Sequence, residues 1–320
     1  MREVAVVIPN YNGIQFLEPC LEALRAQTFR EFQTILVDNG SSDGSLALVR
    51  ERYPEVEIAA LPENFGFCRA VNEGIRRAEA KYVILLNNDT QVFPDFVEAL
   101  YRGIAERPRA FSAGAMMIQA HDHRKLDTAG DCYSALGWAF SRGKGKRPEK
   151  FEDPKPVFAV CAGAAIYRME LLREIGLFDE EHFAYLEDLD IGYRARIAGY
   201  ENWYLPSARV YHVGSGTSGS RYNLFKIRYS SRNNVYLIYK NMPVLQVILN
   251  LPFLISGFGV KLLFFAARGF GREYAAGIKN GMALCRKPGN KKKKIKFSWR
   301  RLPNYLKIQL ELWANLFRRL

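Results

Sequence analysis

Val6-Val7-Ile8-Pro9-Asn10-Tyr11-Asn12 carries an apolar run, begun at Val4, into a proline and three polar residues. An uninterrupted apolar run of that length, ended by turn residues, predicts a buried strand over residues 4–8. Downstream, Phe16, Leu17, Cys20, Leu21 and Leu24 recur at helical spacing. A second strand is expected at 34–37. It is followed by Asn39-Gly40-Ser41-Ser42-Asp43-Gly44, a dense turn and helix-cap signal. Residues 56–61 read as a third strand, 68–80 as a helix and 82–86 as a fourth strand. This β-α-β-α rhythm predicts an α/β fold built on a mostly parallel sheet with helices on both faces. Ligands of such sheets bind in the crevice beyond the carboxyl ends of the strands.

The middle third is less regular. Residues 110–118 are apolar, and 119–156 are polar, charged and loop-like, a length of loop that is usually functional or mobile. A strand pattern returns at 157–167, helices are expected at 169–175 and 187–198, and short strands at 201–205 and 209–212. After Asn241 the character changes. Residues 241–260 carry no charged side chain and are long enough to cross a bilayer. Pro243, Gln246, Asn250, Pro252, Gly257 and Gly259 interrupt them. The last stretch, 302–320, places Leu306, Leu310, Trp313, Phe317 and Leu320 near one helical face, an interfacial pattern. Ordinary core helices of a larger soluble domain would give the same pattern.

With 48% hydrophobic and 13% aromatic residues, the 320-residue chain can pack a core and is not a disordered one. Its net charge of +13 points to an anionic partner. Residues 285–301 hold nine Lys and Arg and no acid, so the excess is largely C-terminal. Beside an apolar segment and an amphipathic helix, that run fits docking on an anionic membrane surface better than nucleic-acid binding. The five cysteines, Cys20, Cys68, Cys132, Cys161 and Cys285, are scattered and never spaced as C-x-x-C, which argues against a disulfide framework or structural zinc. The N-terminus runs straight into a strand, so no signal peptide is expected, and the compartment is expected to be reducing.

Three strand ends carry polar clusters: Pro9 to Asn12, Asp38 to Asp43, and Asn87-Asn88-Asp89-Thr90. Each alone is ordinary turn chemistry, but in a parallel sheet all three converge on one crevice. A nucleotide diphosphate bound beside a carboxylate requires a divalent cation between them, Mg2+ or Mn2+. Asp89 can supply an oxygen. His212, in Val210-Tyr211-His212-Val213-Gly214-Ser215-Gly216, can supply a nitrogen or be a hydrogen-bonded structural residue. In Leu186-Glu187-Asp188-Leu189-Asp190, three acids in four residues open a helix. The macrodipole alone favours acids there, and Asp190 can pair with Arg194. Alternatively, the flanking aromatics make a partly dry pocket in which one carboxylate is a general base.

Together these residues resemble the family 2 glycosyltransferases, inverting nucleotide-sugar enzymes of the GT-A fold, and among them the rhamnosyltransferase-like branch. The matching segments also include Glu63-Asn64-Phe65-Gly66-Phe67 and Tyr229-Ser230-Ser231-Arg232-Asn233, in the family's order. The resemblance implies that Asp38 contacts the base or ribose of the donor, with Pro9 and Tyr11 packing around the base and Asn64 and Gly66 bordering the nucleotide. Asn87-Asn88-Asp89 stands where the family has its D-x-D motif, with Asn87 in place of the first Asp. Asp89 and His212 would hold the metal, and Asp188 would be the catalytic base. Glu187 and Asp190 would orient the acceptor or support the helix. The resemblance further implies a dTDP- or UDP-sugar donor, rhamnose or another deoxysugar among them, and a glycan or lipid-linked acceptor of cell-surface polysaccharide synthesis. Residues 1–240 would form the catalytic domain, with a donor half to about 118 and an acceptor half from 119. Residues 241–320 would attach it to the cytoplasmic face of the membrane as a peripheral or monotopic protein. A dehydrogenase or epimerase is disfavoured, because Pro9-Asn10-Tyr11-Asn12-Gly13 is not the G-x-G-x-x-G turn of dinucleotide sites.

Overall fold

A computed structural model describes residues 2–214 and 223–318. Ser215, Gly216 and Leu320 of the segments above lie outside the described residues. The chain runs through β1 (Arg2–Asn10), α1 (Ile14–Arg25), β2 (Phe32–Asn39), α2 (Ser45–Arg52), β3 (Glu57–Leu61), α3 (Phe67–Arg77) and β4 (Ala80–Leu86). Next come β5 (Thr90–Val92), α4 (Phe96–Ala105), β6 (Ala110–Gln119), β7 (Leu126–Thr128), β8 (Asp131–Tyr133), β9 (Ala139–Ser141), β10 (Lys155–Val157) and β11 (Ala164–Arg168). The remainder is α5 (Met169–Ile175), α6 (Glu187–Ala198), β12 (Glu201–His212) and the helices α7 (Leu224–Asn241), α8 (Val244–Ala266), α9 (Gly271–Arg286), α10 (Pro288–Lys293) and α11 (Leu302–Phe317).

The main sheet has the order β10-β12-β6-β11-β4-β1-β2-β3, with β5 on β12 and β7 on β6. Strands β3, β2, β1 and β4 are parallel, as the alternating apolar runs predict. Beyond β4 the sheet is mixed, because β11 lies antiparallel between β4 and β6. Alternate residues of each central strand serve the two faces. Ala5 and Val7 join a core with α3 and α5, while Val4, Val6 and Ile8 join one with α1 and α4. Gly74 lets α3 lie close on the sheet, since a Cβ there would fall 2.2 Å from Val7.

Three local expectations are corrected. The apolar stretch 157–167 is not one strand: β10 ends at Val157, β11 begins at Ala164, and the chain between them leaves the sheet while staying buried. An apolar run reports burial, not strand pairing. The stretches 201–205 and 209–212 are one strand, β12, with a register shift between Leu205 and Arg209 around Pro206, which has no amide proton to donate to a ladder. The loop-like stretch 119–156 holds β7, β8, β9 and β10, each three residues long and too short for a periodic signal.

Helices α8 to α11 close onto the sheet domain rather than standing apart. Tyr305, Ile308 and Leu312 of α11 share one core with Tyr133, Phe158 and Tyr193. Helix α8 turns a polar stripe inward: Tyr193 Oη donates to Gln246 Oε1 at 2.7 Å, and Asn250 and Gln309 exchange hydrogen bonds at 2.8 Å. Leu254 is buried with that stripe, but most of the helix's apolar residues face out, with Val244 64% and Leu263 73% exposed. By length and composition α8 is apolar enough to cross a membrane, the one such helix among the described residues.

Candidate active site

The carboxyl ends of β1, β2 and β4 meet where strand order reverses, the expected place for a ligand crevice. Their polar residues form one network. Asn88 Nδ2 donates to Asn10 Oδ1 at 2.6 Å, and Asn10 Nδ2 donates to Asp38 Oδ1 at 2.9 Å. Asp38 Oδ2 accepts the Ser41 amide at 3.0 Å, so one of its oxygens braces the turn after β2 and the other ties it to the end of β1. Gly13 leaves room for this, because a Cβ there would lie 2.2 Å from Asn88 Nδ2. Asn39 donates to Asn64 Oδ1 at 2.9 Å, and Asn64 also takes the Gly66 amide at 2.9 Å. Pro9 and Tyr11 are half-buried beside the network. Asn87 is anchored by its backbone, its amide donating to Gly163 O at 2.9 Å.

Strand β12 brings His212 opposite Thr90, directly across from the Asn87-Asn88-Asp89 turn. His212 Nε2 lies 3.4 Å from Asp89 Oδ1, and Nδ1 lies 2.8 Å from Asp127 Oδ2. Burial alone would lower the imidazole, but the hydrogen bonds to Asp127 and Asp89 outweigh it and raise its pKa to about 9. A carboxylate behind one ring nitrogen, with the other aimed at a second carboxylate, is how proteins orient a metal-ligating histidine. The donor set, one carboxylate oxygen and one imidazole nitrogen, suits Mn2+ better than Mg2+, which prefers oxygen ligands alone. Asp127 lay unrecognised within the stretch that reads as loop.

The acidic helix start builds the other side. Asp188 is half-buried and accepts the Leu189 amide at 2.8 Å. Asp131, from β8, joins it: the ligand atoms of Asp131, Cys161 and Asp188 all lie within 4.8 Å of one another. Ser141 Oγ donates to Asp131 Oδ1 at 3.1 Å and fixes it. Burial raises both carboxyls above the usual range, and the charge of Asp188 raises Asp131 further. Glu187 is buried, its Oε2 has no partner among the described residues, and burial followed by the charge of Asp188 pushes its carboxyl well above the usual range. Asp190 does different work. Its oxygens take Arg194 Nε at 3.0 Å, Lys240 Nζ at 2.8 Å and Asn241 Nδ2 at 2.8 Å, with no face left for an acceptor sugar. It pins α6 to α7, the helix-supporting alternative.

The approach to Asp188 is strained. Phe183, Tyr185 and Leu186 all have positive φ, at 62°, 73° and 65°. Such residues cost roughly 1–3 kcal/mol each and persist only where the surroundings over-determine them. Here α7 supplies the constraint. Asn233 Nδ2 donates to the carbonyls of His182, Ala184 and Tyr185 at 2.9, 2.8 and 2.7 Å. Arg232 Nη2 donates to those of Glu181 and His182 at 2.7 and 2.8 Å. Gly66, at φ +86°, receives the Phe183 ring where any Cβ would lie 2.6 Å from it. The Tyr229–Asn233 match thus marks a clamp on the segment leading to Asp188, a role the linear motif did not disclose.

The chain matches the model of Glycosyl transferase family 2 over residues 5–176. It is 30% identical over 237 residues to N-acetylglucosaminyl-diphospho-decaprenol L-rhamnosyltransferase of Mycobacterium tuberculosis, covering 67% of this chain and 77% of that protein. In structure it is similar to GalNAc-T7 with UDP, GalNAc and Mn2+ (TM-score 0.61, 17% identity), covering 74% of this chain and 48% of that one. It is also similar to the mannosyltransferase PcManGT from Pyrobaculum calidifontis in complex with GDP-Man and Mn2+ (TM-score 0.52, 17% identity), over 98% and 88% of the two chains. At that identity the two structures speak for the GT-A-like fold. The divalent-metal dependence of the family meets a suitable ligand pair here in Asp89 and His212. With the family model matched over more than half its length and the mycobacterial relative over two thirds, this chain belongs to glycosyltransferase family 2, in its rhamnosyltransferase-like branch.

Proposed function

We propose that the protein is an inverting transferase that moves a deoxyhexose, rhamnose in the first instance, from a dTDP- or UDP-sugar to a hydroxyl of a lipid-linked glycan, at the cytoplasmic face of a membrane, in cell-surface polysaccharide synthesis. The observation that carries the chemistry is Asp188: a half-buried carboxylate with a raised proton affinity, held at the start of α6 by a strained and clamped segment. A group of that kind is suited to take the proton from an acceptor hydroxyl. The acceptor oxygen then attacks the anomeric carbon from the face opposite the diphosphate, and configuration inverts. Asp38, Asn10 and Asn88 hold the donor side rigid, so that little reorganisation is needed when the donor binds. A divalent ion on Asp89 and His212 would neutralise charge on the departing diphosphate.

The rhamnosyl donor and the lipid-linked acceptor are supported by the name of the mycobacterial relative, which acts on a diphospho-decaprenol substrate. Membrane docking is supported by the outward faces of α8 and α11, where Leu306, Leu310 and Phe317 are exposed beside the basic run at 286–301. An apolar face of that kind, edged by cations, suits an anionic bilayer surface. Helix α9 returns from the end of α8 to pack on α7, with Gly277 against Ser231, so α8 reads as lying along the bilayer surface rather than crossing it. Thermal-shift titration with dTDP, UDP and GDP, followed by product release from a panel of nucleotide sugars with Mn2+, tests the donor. A preference for GDP would remove both donor candidates. Protein that ignores anionic vesicles at low salt would remove the docking.

A further inference from the structure

Helices α7, α8, α9 and α10 enclose an open groove of about 570 Å³. That lies within the roughly 300–1,000 Å³ of small-molecule sites. Its walls are apolar, with Val235 and Ile238 from α7, Val247 and Ile248 from α8, and Met282 from α9. Three cations also line it: Arg286 at the end of α9, Lys291 in α10, and Lys294 just beyond; no carboxylate does. Lys294 stands over the Tyr239 ring, 4.8 Å from its centroid, and neither Arg286 nor Lys291 has a carboxylate partner among the described residues. Asn290 Nδ2 donates to Leu284 O at 3.0 Å and folds α10 back onto α9, so the cationic side is held by the backbone. Ile248 in its wall is 60% exposed and lies on the outward face of α8.

An apolar trough that carries three unneutralised cations is complementary to a ligand with a hydrocarbon tail and an anionic head. A free anion has no use for the walls, and a neutral lipid leaves the cations unanswered. We propose that this groove binds one anionic phospholipid, its chain in the trough and its phosphate among Arg286, Lys291 and Lys294. For its source of lipid the proposal rests on the membrane-docking reading. It goes beyond that reading by replacing a diffuse surface with a stoichiometric site.

The test is native mass spectrometry of the full chain with dihexanoyl phosphatidylglycerol at a concentration where that lipid is monomeric. One copy should bind per chain. Dihexanoyl phosphatidylcholine should bind at least about tenfold more weakly, since each cation near a headgroup contributes about fivefold. Inorganic phosphate should not displace the lipid. Met282→Trp, at an exposed position, should fill the trough and abolish the single-copy adduct, and the triple variant Arg286→Gln, Lys291→Gln, Lys294→Gln should weaken it at least about tenfold. Equal binding of the two lipids, displacement by phosphate, or several copies indifferent to Met282→Trp would each overturn the proposal. Co-sedimentation with phosphatidylglycerol vesicles reads the docking surface separately. Sedimentation without a single-copy adduct removes the groove and keeps the docking; an adduct without sedimentation supports the groove and removes the docking.

Discussion

Asn233→Ala probes the link between the C-terminal helices and catalysis. The Asn233 side chain is fully buried and donates through Nδ2 to three carbonyls, those of His182, Ala184 and Tyr185. Removing a donor from buried acceptors costs about 1–3 kcal/mol for the groups left unpaired. Two protons serve three acceptors here, and water can reach the half-buried Ala184 and Tyr185, so a total of about 2–4 kcal/mol is expected. The strain at Phe183, Tyr185 and Leu186 is then free to relax, and Asp188 lies only two residues beyond Leu186. A shift of the proposed base by about 1 Å is enough for a loss of roughly a hundredfold in rate. Urea denaturation and steady-state kinetics on the same preparation should therefore show a folded, destabilised enzyme whose kcat falls far more than its donor KM rises. A variant that stays within about 0.5 kcal/mol of the parent and keeps its kcat would refute the clamp.

Asp188→Asn keeps the shape of the proposed base without its proton affinity, so kcat should fall about a hundredfold or more while nucleotide binding persists in a calorimetric titration. Because burial raises Asp188, the acid limb of the wild-type kcat profile should lie above the ordinary carboxylate value of about 4, with activity rising as pH rises through it. Asp127→Asn removes the carboxylate behind His212, and the Mn2+ concentration for half-maximal activity should rise about 10–100-fold with little change at saturating metal. Asp131→Asn should stabilise the fold by an amount that grows from about pH 4 to about pH 8 and is constant above it. Asp131 holds its proton more tightly folded than unfolded, so the wild type loses stability as pH rises from about 4 toward the raised value, by up to about 1 kcal/mol per pH unit. Denaturation midpoints at pH 5 and pH 8 measure it, and an advantage that shrinks with pH would contradict the burial argument.

The donor side was legible because its chemistry is local. Asn10, Asp38 and Asn88 follow apolar strands directly, and parallel pairing brings those ends together whatever the rest of the chain does. His212 was legible only in part, since its second carboxylate, Asp127, comes from 85 residues away on a three-residue strand. Asp131 was hidden for the same reason: short hairpins have no periodicity to read. Asp190 looked like its neighbours in the acidic run. Its burial depends on Lys240 and Asn241, which reach it only after α7 packs. The polar residues that spoil 241–260 as a spanning segment prove to be the stripe by which α8 holds the protein, at Gln246 and Asn250. The covered face of α11 has a consequence for dissecting the chain. Ending it near Asn241 would strip Tyr305, Ile308 and Leu312 from the core around Tyr193, so single substitutions on the exposed faces are the cleaner probes of docking.

The stereochemistry and metal requirement of the transfer itself test the proposed mechanism most directly. Proton NMR of the reaction, with a dTDP-deoxysugar, a lipid-linked glycan acceptor and Mn2+, reads donor loss and the anomeric signal of the first product together. The prediction is a product of opposite anomeric configuration to the donor, formed with Mn2+ and abolished by excess EDTA. A product of retained configuration, or transfer that continues undiminished in EDTA, would contradict it.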